Sequence, residues 1–359
     1  MFDCFTNILI VLLLAIAEAM QRPHILLIRL SAIGDIVMAS GLPSSIKAAY
    51  PGARVCWLVE SPYVELVKHH PGVDHVIAWP KNHWQQLHRS RQYTALYRAV
   101  TAFVKQLRNE HFDIAIEAQG LIKSALIARL SGARCRIGFV SKEHSHRLLT
   151  EAISKPVSDD FGSEYKALAQ HMGSDYYHPH LTIDAATSQR LYKVLRQKQI
   201  PQHFVVLCPF TTRAQKHWPL ERWQQLIILL RAQYRGALVI LGGPGDAATA
   251  EQFAVATGIY QLAGALSLAE SLACIARAQA LVGVDTGMTH AATVLSTPAV
   301  ALFGSTCPYL RTPSSTTRVV YLDLPCAPCK RRPTCQARYD CLVNITAPRV
   351  WHTLQQVLK

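Results

Sequence analysis

Two short segments of this chain combine hydroxyls, cations and a carboxylate in a way that suits an anionic ligand. They are Leu207–Pro219, LCPFTTRAQKHWP, and Val284–Ala292, VDTGMTHAA. Each follows an apolar run of strand character, Phe204–Leu207 and Ala280–Val284. In open α/β sheets, ligands bind in the crevice outside the carboxyl ends of the strands. Thr211, Thr212, Arg213 and Lys216 in the first segment, with Asp285, Thr286, Gly287 and His290 in the second, suit a sugar diphosphate. A departing diphosphate gathers negative charge, which Lys, Arg and amide donors stabilise. Asp285-Thr286-Gly287 opens a helix read as Met288–Leu295, whose first N–H groups lack intrahelical partners and favour phosphate. Asp285 would then hold sugar hydroxyls. His290, one turn into that helix, either reaches the same crevice or is a buried structural histidine.

Leu30–Asp35 (LSAIGD) repeats the strand–turn–helix design near the amino terminus, with a carboxylate where the other segments carry phosphate donors. It lacks the GxGxxG spacing of a dinucleotide turn, and Asp35 would repel a pyrophosphate. Asp35 reads either as a general base toward an acceptor hydroxyl or as a carboxylate capping a helix start. The asymmetry assigns an activated donor to one half of the chain and deprotonation of an acceptor to the other. Gly242-Gly243-Pro244-Gly245-Asp246 closes the strand-like run Ala237–Leu241. Asp246 there either accepts a ribose hydroxyl or belongs to a plain tight turn.

Cys326, Cys329, Cys335 and Cys341 cluster near the carboxyl end. Four thiolates can close a tetrahedral structural zinc site, although the second pair is too widely spaced for a standard CxxC knuckle. Lys330, Arg331 and Arg332 favour the thiolate, so metal, disulfide and free thiols all remain open. Trp79–His88 with Lys81, Arg89, Arg91 and Lys123 forms a basic, aromatic group in the first half. It suits the carboxylates and phosphates of an acidic glycolipid, or is an exposed loop.

The elements that must position these residues alternate between strand and helix in both halves, which implies two doubly wound sheets. HILLIRL, from His24, reads as a buried parallel strand with continuous apolar residues. Val37–Ala49 reads as one helix, Trp79–Arg91 as polar and basic without clear period, and Tyr93–Asn109 as an amphipathic helix. The expected organisation is an apolar leader over residues 1–21 and an acceptor-binding domain over 22–180. A linker over 181–201 leads to a nucleotide-sugar domain over 202–345, which includes the cysteine-rich 325–342. A terminal helix covers 346–359.

Composition bounds the partners. The chain has 359 residues, half of them hydrophobic, which fits two globular α/β domains. A formal net charge of +14 favours an anionic partner. No zinc finger, RNA-recognition signature or long basic helix is present, so the charge is read as attraction to anionic lipid or sugar phosphate and no nucleic acid is expected. Ile8–Ala17, ILIVLLLAIA, is too short to span a bilayer, which needs about 20 residues. It is a membrane-associating leader, a cleaved signal, or sequence upstream of a start at Met20. Most other cysteines sit singly in apolar segments, which suits free thiols in a reducing cytosol.

Four ordered strings resemble glycosyltransferase family 9, the lipopolysaccharide heptosyltransferases. They are RLSAIGDIV (Arg29–Val37), EAQGLIKSAL (Glu117–Leu126), TTRAQKHWP (Thr211–Pro219) and VDTGMTHAA (Val284–Ala292). The resemblance runs from His24 to the final helix and is nearest to the heptosyltransferase I members. It implies an α/β architecture of GT-B type, two doubly wound Rossmann-like domains facing across a cleft. It also implies inverting, metal-independent transfer of L-glycero-D-manno-heptose from ADP-heptose to Kdo of lipid A, without a cofactor. By motif position Asp35 corresponds to the family's catalytic base, and Thr211, Thr212 and Lys216 to its phosphate contacts. Asp246 corresponds to an acidic ribose contact, and Asp285, Thr286, Gly287 and His290 to sugar and diphosphate contacts. Gln119 and Lys123 lie in the acceptor-side motif. The implied partners are the nucleotide-sugar donor, Kdo–lipid A and the inner leaflet of the cytoplasmic membrane, with the protein held peripherally on its cytoplasmic side. The leader and the cysteine-rich segment depart from the nearest members. A heptosyltransferase of type II or III, acting on a heptose acceptor, and a non-catalytic nucleotide-sugar-binding module are the alternatives.

Overall fold

The computed structural model describes residues 22–330 and 332–358. The apolar leader expected over 1–21 lies outside the described residues, as do Arg331 and Lys359. Two six-stranded, wholly parallel sheets make up the frame.

The first sheet contains β1 (His24–Ile28), β2 (Arg54–Glu60), β3 (His75–Trp79), β4 (Ile114–Glu117), β5 (Cys135–Phe139) and β6 (Glu151–Ile153), in the order β3-β2-β1-β4-β5-β6. Ile25 to Ile28 are fully buried, as continuous apolar runs must be when helices cover both faces of a parallel sheet. Between β1 and β2 the chain forms α1 (Ile33–Ala39) and α2 (Leu42–Ala49) rather than the single helix expected over Val37–Ala49. The break falls at Ser40–Gly41, and Pro43 sits in the first turn of the new helix, where a missing N–H costs no hydrogen bond. The stretch without clear period is also helical, as α3 (Lys81–Arg89), packed on α4 (Tyr93–Asn109). Trp84 of α3 packs against the core that holds Phe103 and Leu107 of α4, and Leu87 of α3 is buried. After β4 comes α5 (Ile122–Leu130), and α6 (Ser163–His171) follows β6.

The second sheet contains β7 (Phe204–Cys208), β8 (Ala237–Ile240), β9 (Ile259–Gln261), β10 (Ala280–Val284), β11 (Ala299–Leu302) and β12 (Thr317–Val320), in the order β12-β11-β10-β7-β8-β9. This is the first sheet's strand order repeated. Its helices are α7 (Ala185–Gln197), α8 (Leu220–Gln233), α9 (Leu268–Arg277), α10 (Gly287–Val294) and α11 (Ala347–Gln355). Alternate residues of β7 enter opposite cores. Val205 and Leu207 pack with Trp223 of α8 and Trp351 of α11, while Phe204 and Val206 pack with Leu191 of α7 and Ile275 of α9.

The chain divides into two compact units, one of residues 22–31, 39–157 and 162–179, the other of 32–38, 158–161 and 180 onward. Two segments expected in the first domain therefore group with the second. Met38 and Phe161 explain this, because both pack in the cluster of Phe303 and Tyr309. The linker expected over 181–201 also needs correction, since it is largely the helix α7. The Asp184 carboxylate accepts the Thr187 N–H at 2.9 Å at its start, and Leu191 and Leu195 are buried in the second unit's core. Among the described residues no helix is long and apolar enough to cross a membrane.

Candidate active site

In each sheet the strand order reverses direction at the middle, between β1 and β4 and between β7 and β10. Ligands of doubly wound sheets sit at such switch points, beyond the carboxyl ends of the strands. The residues singled out in the sequence fall at these ends.

In the second unit, Asp285 follows β10 and is 6% exposed. Its Oδ2 pairs with Lys216 Nζ at 2.6 Å and accepts the Thr306 hydroxyl, and its Oδ1 lies 3.1 Å from His290 Nε2. The Thr211 hydroxyl donates to the Asp285 carbonyl at 3.4 Å. Burial on its own would raise the Asp285 carboxyl, but the hydrogen bonds and charges of His290 and Lys216 outweigh it and hold the group well below the usual carboxylate range. His290 is 3% exposed, with Nδ1 2.9 Å from the Tyr309 hydroxyl. A carboxylate only accepts, so Nε2 donates to Asp285.

The structure therefore joins Thr211, Lys216, Asp285 and His290 in one bonded network. His290 takes its structural reading, and both Asp285 oxygens, expected to hold sugar hydroxyls, are engaged by protein groups. Lys216 is only 19% exposed at its side chain, and one of its three donors goes to Asp285, which leaves two for a ligand. Thr286 is the N-cap of α10 without a side-chain cap. The Thr289 and His290 amides bond to its carbonyl, so the Gly287 and Met288 amides are the unpaired helix-start donors that attract an anion. Thr212 is exposed and Arg213 half-buried on the same loop. Asp246 sits beyond β8, where its Oδ2 accepts the Gly243 N–H at 2.8 Å. It closes its own turn, the plainer of its two readings, and one oxygen remains for another donor.

Asp35 lies in the first turn of α1, where its Oδ2 accepts the Ala32 N–H at 3.3 Å. The capping geometry is thus present, and it engages one carboxylate oxygen in a long bond. The Asp35 turn belongs with α10. A Cβ on Gly34 would come within 2.5 Å of the His290 ring, and one on Gly287 within 2.4 Å of Ile33. Only glycine at both positions permits this approach.

The first unit's switch point is built differently. Leu30 N–H donates to Gln119 Oε1 at 3.0 Å, and an Arg29 guanidinium nitrogen donates to the Ala118 carbonyl at 2.8 Å. Gln119 is thus tied into the frame. Lys123 lies 3.8 Å from Glu60 Oε1 and 5.4 Å from the Trp79 ring centre, and burial pulls its ammonium down from its ordinary value. Lys81 shares Glu60 at 3.1 Å.

Cys326, Cys329, Cys335 and Cys341 carry free thiols. Among the described residues no group of three or more His, Cys, Asp or Glu side chains is arranged to hold a metal ion. Thr306 and Tyr309 were missed in the sequence. Both follow β11, and the strand-end rule applied to β10 would have found them there.

Two Rossmann-like sheets of one strand order match solved enzymes over almost their whole length. Escherichia coli ADP-heptose LPS heptosyltransferase II aligns with TM-score 0.74 and 23% identity, covering 93% of this chain and 98% of that one. E. coli heptosyltransferase WaaC with ADP-2-deoxy-2-fluoro heptose aligns with TM-score 0.69 and 24% identity, covering 93% and 99%. In sequence, lipopolysaccharide heptosyltransferase 1 of Pseudomonas aeruginosa is 27% identical over 321 residues, 87% of each chain. The protein is a glycosyltransferase with a GT-B-type fold. The model for glycosyltransferase family 9 (heptosyltransferase) matches residues 100–339, and the chain belongs to that family.

Proposed function

We propose that this chain is an inverting heptosyltransferase of lipopolysaccharide core synthesis, moving L-glycero-D-manno-heptose from ADP-heptose to Kdo of lipid A. The observation that carries the reading is the Asp285–Lys216 pair beside the start of α10, at the switch point of the second sheet. The relatives named for ADP-heptose and lipopolysaccharide supply the substrate class.

In this mechanism the acceptor hydroxyl loses its proton to Asp35 as its oxygen attacks the anomeric carbon of heptose. The bond from that carbon to the β-phosphate oxygen breaks, the electron pair leaves with ADP, and configuration inverts. Lys216, Arg213 and the Gly287 and Met288 amides stabilise the charge on the departing diphosphate, so the step needs no metal. Asp285 positions Lys216 rather than touching sugar, and Asp246 receives a ribose hydroxyl on its remaining oxygen. Gln119 holds the acceptor-side turn, and Lys123 meets acidic groups of the acceptor. The protein works from the cytoplasmic side of the inner membrane as a peripheral enzyme.

Incubation of the purified chain with ADP-heptose tests this reading. ADP should appear with a Kdo-terminated lipid A acceptor and not without one. Transfer only to a heptose-terminated acceptor would reassign the enzyme to type II or III. Binding of ADP-heptose without turnover on either acceptor would leave a binding module.

A further inference from the structure

Residues 75–109 contain no Asp or Glu, yet include Lys81, Arg89, Arg91, Arg98, Lys105 and Arg108. After β3 this acid-free stretch folds as the α3–α4 helical pair. The inner side of the pair is firmly anchored. Trp84 meets Phe103 edge-on at 5.3 Å and Trp79 at 6.0 Å, and Leu107 is fully buried. The outer side is different. Tyr93 and Tyr97 are 58% and 71% exposed, and Arg98 and Lys105 are exposed on the same helix. Tyr93, Tyr97, Thr101 and Lys105 recur every fourth residue and form one stripe.

Elsewhere in this unit three surface lysines are neutralised, Lys47 by Asp74, Lys68 by Glu65 and Lys155 by Glu164. Among the described residues Arg89, Arg91, Arg98 and Lys105 pair with no carboxylate. Beside the pair lies a cavity of about 630 Å³ lined by Trp79, Lys81, Trp84, His88, Arg89 and Lys123. Cations without counter-charge and tyrosines turned to solvent share one complement, a surface of phosphate and carbonyl oxygens over an apolar layer.

We infer that the α3–α4 pair is the docking surface for an anionic phospholipid bilayer. Arg and Lys side chains lay their stems along the interface and reach phosphates, while Tyr93 and Tyr97 settle at headgroup level. This deepens the peripheral-membrane part of the proposed function by naming the surface, and it does not involve the donor site.

The test is co-sedimentation of the full chain, without substrate, on vesicles of phosphatidylcholine alone or mixed equally with phosphatidylglycerol. The wild type should partition onto the mixed vesicles, release with added salt, and bind neutral vesicles weakly. Arg98→Gln with Lys105→Gln should lower partitioning about 30-fold, from roughly 1 kcal/mol per basic residue near the surface. Tyr93→Ser with Tyr97→Ser should lower the binding that survives in salt. Transfer to a deacylated, soluble acceptor should stay at wild-type rate in the Gln variant, which separates a failed surface from a failed enzyme. Equal vesicle binding by wild type and both variants, or equal binding to neutral and anionic vesicles, overturns the assignment.

Discussion

Glu117 and Asp285 occupy matching places in the two sheets, at the carboxyl ends of β4 and β10, and both are buried. Their surroundings drive them in opposite directions. Glu117 accepts N–H bonds from Gln119 at 2.9 Å and Gly120 at 2.9 Å, and burial still prevails, so its carboxyl is raised. Asp285 has Lys216 and His290, and their charge and hydrogen bonds prevail over burial. The first carboxylate is satisfied by backbone N–H groups and serves the frame. The second is satisfied mainly by side chains, one of them a cation with donors to spare. On the proposed reading, the strand-end carboxylate that serves the ligand edge is the one whose counter-charge is still able to engage a ligand.

The comparison can be broken at several points, taken here from the largest effect down. Asp35→Asn should lower kcat by about 10²–10⁴, the range for a general base, while ADP affinity measured by calorimetry stays unchanged. Retained turnover would remove Asp35 from the base role. Lys216→Ala should lower kcat/KM by about 10²–10³, as expected for loss of a preorganised donor to a departing anion. Unchanged kcat/KM would confine Lys216 to holding Asp285.

Stability against pH sharpens the contrast further. The folded pKa of Asp285 lies below its ordinary 3.8, so its stabilisation is complete at neutral pH and fades as pH falls below about 4. Asp285→Asn should cost about 3 kcal/mol at pH 7 in denaturant unfolding and much less in acid. Glu117 has the opposite sign. Its folded pKa is above the ordinary 4.5, so its contribution is full below that value and is lost as pH rises through the folded pKa. Glu117→Gln should therefore be least harmful at neutral pH, within about 1 kcal/mol of wild type. A parallel pH response in the two variants would remove the distinction.

Much of the frame was legible because parallel strands buried on both faces read as unbroken apolar runs, as in HILLI of β1 and FVVLC of β7. The strand-end rule then led to Lys216, Asp285 and Thr286. Helix α3 escaped because one buried leucine and a half-buried tryptophan anchor nine residues, too few to show a period. The division of Val37–Ala49 escaped because Pro43 can start a helix as readily as it ends one. What Asp285 bonds to was not legible either, since Lys216, Thr306 and His290 come from three different strand-end segments and meet only through the sheet order. The contact of Gly34 with His290 is of the same kind. Each glycine stands in a visible motif, and only the fold shows that they are small for one another.

Hydrogen–deuterium exchange with and without ADP tests the central claim most directly. Binding should protect the Gly287 and Met288 amides at the start of α10 and the loop from Thr211 to Lys216, leaving residues 118–123 of the first unit unchanged. Protection confined to residues 118–123, with α10 exchanging as in the free protein, would contradict the account.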